Sequence, residues 1–310
     1  MRSLLHPLAG ILSLLLLFLS ATTTHAANQD KRGQWRSAAK EASQAEKRGE
    51  EVRAKTAEYV GPKVSKMPAP KKQDTNSGTG LAITYVYPVN GNYTEIMSVL
   101  KDSGGMEEII EAINSTFNFP RIDVVLDECG QDNAFYDPST RRIILCYELV
   151  VALAEGFSQD EELSDDDVGT QVIASLIFTF FHELGHAAVD VFDLPITGNE
   201  EDAVDRFATL ILLSSSEDDE DEETDLAHSA IGAFDLDTIE SLEDLDFSDE
   251  HPVDEQRWYT MACLMVGSNP EKYDYLVGDN GLPSERAETC PAEYERISKS
   301  WQKLLEPHVK

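Results

Sequence analysis

Positive charge is scarce in this chain of 310 residues: 25 Lys and Arg stand against 58 Asp and Glu, for a formal charge of −33. A body so acidic repels nucleic acid and anionic membrane surfaces, and it favours cationic peptides or dissolved cations. The few bases are also unevenly spread. Residues 28–75 hold 12 Lys or Arg against 7 Asp or Glu, whereas residues 76–310 hold 12 against 51. Long hydrophobic runs are rare too. The one at the start, L-A-G-I-L-S-L-L-L-L-F-L, is too short to cross a bilayer, which argues against a stable membrane anchor. Only four cysteines are present, none at metal-site spacing, so a thiolate-ligated metal cluster is excluded.

The apolar start follows a single basic residue and ends in small residues at Thr24-His25-Ala26, the pattern of a secretory signal peptide over residues 1–26. The chain is therefore expected to be secreted or periplasmic. Export gives the cysteines a meaning, because thiols pair in an oxidising compartment. Of three connectivities, Cys129 with Cys146 and Cys263 with Cys290 are favoured, since the first two flank an apparent hairpin and the others join two C-terminal helices. The sequons at Asn92 and Asn114 matter only in a host that glycosylates exported proteins.

Residues 27–80 read as a basic arm and linker without a continuous apolar stripe, expected to be disordered; a pro-segment drawn to an acidic cleft is the alternative. The folded domain is expected over residues 81–310. Strand patterns run over residues 81–89, 121–129 and 141–147, with a short one at 133–136, and a helix carries Ile109, Ile110 and Ile113 on one face. An acidic loop spans residues 214–225. Its eight acids between Glu217 and Asp225 are expected to be solvated, and it lacks the glycine and alternating ligands of a defined calcium loop. Helices are expected again around Asp254 to Val266 and Pro291 to Leu305.

The centre of the chain is H-E-L-G-H at residues 182–186, inside a segment apolar in nearly every direction. Helical residues four apart share a face, so His182 and His186 can present two imidazoles to one ion. Glu183 is rotated by about 100° from His182 and fits a general base rather than a ligand. Gly185 is a poor helix-interior residue, which suggests a close neighbour. A catalytic zinc site takes three protein ligands, and Glu201 is the preferred third, with Glu200 competing and Asp193 more distant. Asp205, four residues after Glu201, can accept the second N–H of a ligating imidazole. Among the remaining histidines, His251 is the candidate donor to a developing oxyanion, with Tyr259 or Tyr136 behind it.

H-E-L-G-H followed by E-x-x-x-D resembles the gluzincin branch of zinc metallopeptidases. More narrowly, N-A-F-Y-D-P, L-P-I-T-G-N-E-E-D-A-V-D, D-E-H-P-V-D-E-Q-R-W-Y and G-L-P-S-E-R-A resemble a family of secreted metallopeptidases known mainly as a domain of unknown function, over roughly residues 80–305. The resemblance implies an α+β, zincin-like fold: a small upper sheet, an active-site helix and a mainly helical C-terminal part. It also implies one Zn2+, a peptide or protein substrate, an edge strand at residues 133–136, and Asp205 orienting His182. Opposed to this stands a non-catalytic reading, an acidic metal-binding protein that holds or inhibits a partner.

Overall fold

The computed structural model describes residues 78–160, 163–215, 225–235, 254–278 and 281–310. The expected signal peptide, the basic arm, most of the acidic run and His251 lie outside these residues.

The fold is α+β, with a small mixed sheet laid on helices. Four strands, β1 (Leu81–Tyr85), β2 (Ile122–Asp127), β3 (Ala134–Asp137) and β4 (Arg142–Cys146), are ordered β1-β2-β4-β3. β1, β2 and β4 run parallel, and β3 returns antiparallel to β4 at the edge. Parallel pairing of β1 and β2 requires a crossover. It is made by α1 (Thr94–Ser103) and α2 (Gly105–Thr116), whose Ile109, Ile110 and Ile113 are buried as their spacing predicted. Antiparallel β3 and β4 need only a tight turn, in which Arg141 takes a left-handed conformation (φ 52°). β2 alternates buried and half-buried residues, with Ile122, Val124 and Leu126 facing the core.

β1 stops earlier than its apolar pattern suggested: Tyr87 and Val89 lie beyond it, exposed, on either side of Pro88. Proline cannot donate to a ladder, so pairing ends there. Asn114 clamps the start of β1, accepting from Leu81 N (2.7 Å) and donating to Leu81 O (2.9 Å). That sequon asparagine is thus engaged inside the fold.

Below the sheet lie α3 (Tyr147–Phe157), α4 (Asp165–Phe192), α5 (Glu200–Ser215) and α6 (Leu226–Ile231), followed by α7 (Asp254–Ser268), α8 (Ser284–Ala287) and α9 (Cys290–Leu305). Neither α1 nor α3 was read from the sequence; α3 begins where a strand was expected to end, at Tyr147. α4 is the core element, in contact with β3, β4, α3, α5 and α6. It opens with a capping box between Ser164 and Asp167 and ends at Asp193 in a left-handed conformation. Its length and apolarity would suffice to cross a membrane, but 78% of its most apolar stretch is buried inside the fold, as for a core helix.

Both favoured disulfides are present. Cys129–Cys146 ties the loop after β2 to the end of β4, and Cys263–Cys290 ties α7 to α9. Such bonds persist in an oxidising compartment. The expectation of a wholly solvated acidic run fails at both ends. α5 continues to Ser215 with Ser214 buried, and Asp225 is only 1% exposed. Asp225 accepts from Tyr273 Oη (2.6 Å), lies 2.9 Å from Lys272 Nζ and caps α6 through the N–H groups of Ala227 and His228. An acid with a cation and three donors can be buried where an unpartnered one cannot. At the other end of the fold the His308 ring stacks on Phe192, with ring centroids 3.9 Å apart.

Candidate metal centre

α4 and α5 meet where α4 carries Gly185. A Cβ there would lie 2.8 Å from Val204 Cβ and 3.2 Å from Phe207 Cδ1, so glycine is what lets the two helices close up. This approach brings the first turn of α5 against the two histidines of α4. Val204, Phe207, Ala208 and Ile211 are all buried against the core, and their spacing turns Glu201 and Asp205 inward. Asn199 fixes the start of α5 by accepting from Glu201 N (3.2 Å).

The structure brings His182, His186 and Glu201 together. Glu201 Oε2 is 3.0 Å from His182 Nε2, both Glu201 oxygens are 3.2 Å from His186 Nε2, and the two Nε2 atoms are 3.2 Å apart. The outer nitrogens are committed elsewhere. His182 Nδ1 is 2.7 Å from Asp205 Oδ1, and His186 Nδ1 is 2.8 Å from Glu200 Oε1. Glu200, weighed as a third ligand, thus stands behind the His186 ring, and Asp193 caps α4 away from the group. If each Nδ1–H donates to its carboxylate, each Nε2 turns a lone pair inward. Two lone pairs and a carboxylate in mutual contact repel unless a cation lies among them. Tetrahedral zinc with ligands at about 2.0–2.1 Å spaces its donors by roughly 3.4 Å, close to what is seen, so the donor set fits that ion.

Asp205 is itself held. Arg257 of α7 donates to it twice, from Nε to Oδ2 and from Nη2 to Oδ1, both at 2.8 Å, while its guanidinium stacks over Phe234 at 4.5 Å. Burial pushes the Asp205 carboxyl up, but His182 and Arg257 outweigh it and hold it at about 2. Burial likewise pulls His186 down, and the Glu201 and Glu200 carboxylates then raise it to about 9 in the metal-free site. For Glu201, burial is outweighed by the two imidazoles, and its carboxyl falls well below the usual range. No local pattern in the sequence ties Arg257 to Asp205, which lies 52 residues away.

Glu183 is 7% exposed, and its carboxyl is raised, first by burial, against the lowering pull of His182, His186 and a hydrogen bond from the Tyr136 backbone N–H. It borders a cleft of about 480 Å3 walled on one side by residues 133–136 of the sheet edge and on the other by His186, Val189 and Asp190 of α4, with Glu200 and Glu201 at its end. No Lys or Arg is among the described residues lining it. Tyr136 lies in the cleft, its hydroxyl donating to Asp190 Oδ2 (2.7 Å). Tyr259 is 45% exposed on α7 and does not line the cleft. His251 lies outside the described residues. His228 is engaged at 2.5 Å with Tyr275 Oη.

A second group with ligand atoms, Cys129, Cys146 and Glu148, is closed to metal by its disulfide; Glu148 instead accepts from the N–H groups of Cys129 and Gly130. Comparisons with curated proteins and with solved structures find no match. The scan of family models does: residues 85–305, from the last residue of β1 through β2, β3 and β4, the histidine helix and the C-terminal helices, match a family described as "Putative metallopeptidase", and the chain belongs to that family.

Proposed function

We propose that this chain is an exported, zinc-dependent peptidase of zincin type, with His182, His186 and Glu201 as metal ligands and Glu183 as general base. The observation that carries the reading is the convergence of three ligand atoms, all within 4.8 Å of one another, beside a buried glutamate at the wall of an open cleft. Bound there, zinc would supply the Lewis acidity that polarises a scissile carbonyl and lowers the pKa of water. Glu183 accepts the proton of the attacking water and returns it to the departing amine, a role suited to a carboxyl whose burial raises its proton affinity. The Tyr136 N–H holds that carboxylate in place. Asp205 orients His182, Glu200 orients His186, and Arg257 fixes the Asp205 carboxylate with two hydrogen bonds.

β3 is the sheet's edge and lines the cleft beside Glu183, so an extended peptide laid along it would bring its scissile bond to that carboxylate. The acidic lining favours substrates with cationic residues. As donor to the developing oxyanion His251 remains the candidate; of the two tyrosines behind it, Tyr136 has more support than Tyr259, because it lines the cleft. The leader of residues 1–26 would be removed on export and leave residues 27–80 as the arm.

Metal content and casein cleavage, measured with and without a chelator, test the reading beside Glu183→Gln. The wild type should hold one zinc and cleave; the variant should hold the same metal and not cleave. Cleavage by Glu183→Gln at the wild-type rate would overturn the mechanism, and a wild type that holds zinc without cleaving any peptide would leave the non-catalytic binding reading.

A further inference from the structure

Positive charge is so rare in the folded part that its placement is informative. Of the 12 Lys and Arg in residues 76–310, Arg121, Arg257, Lys272 and Arg286 are engaged in ion pairs closer than 3 Å with carboxylates. Three others, Arg206, Arg296 and Lys303, line a single cavity of about 590 Å3 between α5, α9 and the loop at residues 195–199. Only one acid, Asp202, lines it with them. Arg206 donates from Nη1 to the Asp202 backbone carbonyl (3.0 Å) and lies 3.8 Å from its carboxylate, and its Nε is buried with no hydrogen-bond partner among the described residues. Arg296 and Lys303 have no acidic partner within 4 Å among the described residues.

Three cations lining one cavity beside a single carboxylate repel one another, so the arrangement is stabilised by an anion. The cavity is not purely polar, however. Ile196, Ile297, Leu304 and the buried Trp301 supply an apolar floor, and Thr197, Asn199 and Ser300 offer polar groups beside it. A small inorganic anion would leave that floor uncovered. A ligand with a carboxylate, an amide and an apolar side chain would cover all three kinds of surface.

We propose that this cavity binds the C-terminal residue of a peptide ending in an aliphatic or aromatic side chain, with Arg206, Arg296 and Lys303 receiving its carboxylate. The site is distinct from the metal centre. Successive helix residues rotate by about 100°, so Asp202 and Arg206 lie on a different face of α5 from Glu201 and Asp205. The two sites share only the turn at Asn199, which lines the cavity and caps the helix that carries Glu201. The inference does not depend on the peptidase reading.

The test is a calorimetric titration of the full protein with N-acetyl-leucine, with N-acetyl-leucine amide and with octanoate, repeated on Arg296→Gln/Lys303→Gln. Both substituted side chains are exposed, and a thermal melt without ligand checks that the variant folds. N-acetyl-leucine should bind at millimolar concentration or below, the uncharged amide at least about tenfold more weakly, and the double variant should lose affinity by roughly tenfold. Trp301 fluorescence should respond to the acid, and binding should persist in the presence of a chelator. Equal binding of acid and amide, wild-type affinity in the double variant, or octanoate binding without N-acetyl-leucine binding would each overturn the proposal. Loss of binding on chelation would place the ligand at the metal centre and overturn it equally.

Discussion

Two aspartates, Asp205 and Asp225, are buried to nearly the same degree, 3% and 1% exposed, and each is matched to a cation: Arg257 for the first, Lys272 for the second. In both, hydrogen bonds and a nearby positive charge outweigh burial and keep the carboxyl below its ordinary range. Their surroundings set them apart. Asp225 spends its remaining capacity on Tyr273 and on the first turn of α6, so it is closed on itself and pins the residues after the acidic run to the core. Asp205 spends its capacity on an imidazole whose other nitrogen points at Glu201 and His186. The same buried ion pair is thus an anchor in one place and a lever on a candidate metal centre in the other; what decides is whether the partner has a second face to present.

The comparison can be broken first at Asp225. Replacing it with Ala leaves Lys272 without its buried partner, and the folding free energy should fall by about 3–5 kcal/mol in a denaturant titration, with zinc content of the folded protein unchanged. Asp205→Ala should instead be read in the metal. Its zinc affinity, measured by competition with a chromophoric chelator, should drop by roughly 10- to 100-fold. A drop of the same size in Asp225→Ala would erase the distinction. Arg257→Ala should weaken zinc by about tenfold, and Arg257→Lys should restore only part of it, since an ammonium cannot make the two parallel bonds of a guanidinium.

The subtlest separation is by pH. In the metal-free protein His186 titrates near 9, above its ordinary 6.5. A raised value means that its contribution to stability is complete below pH 6.5 and is lost as pH rises through 9. A metal ion held at Nε2 would have to displace that proton, so its affinity should grow over the same window. Melting curves of chelated and zinc-loaded protein from pH 6 to 9.5 should therefore diverge with rising pH. Asp225 has the opposite sign: its carboxyl is lowered, so its contribution is present above the ordinary value of 3.8 and disappears only as pH falls below it. Parallel melting curves of the two forms across that range would contradict the assignment of His186.

The chain wrote some of this plainly. The i, i+4 histidines, the glutamate between them and the apolar positions of α5 are local patterns, and local patterns survive folding unchanged. The disulfides were legible because each spans a short, recognisable unit. The end of β1 is hidden because apolar residues continue past the point where Pro88 ends pairing, and α3 is hidden because its apolar run follows a strand without a turn. Asp225 was misplaced with its acidic neighbours, since composition cannot show that one acid of eight meets Lys272 and Tyr273, 47 and 48 residues away.

The sequence by itself determined which groups could hold an ion: helical periodicity fixes that His182 and His186 share a face and that Glu201 and Asp205 share another. Only the tertiary structure decided that these faces meet, through the close approach at Gly185, and that Glu200 stands behind an imidazole. It alone placed Arg257 on Asp205 and gathered three scarce cations around one cavity. The physical reason is range: helix geometry is set by neighbours three and four residues apart, whereas the partners of a buried charge are chosen by packing among segments distant in the chain.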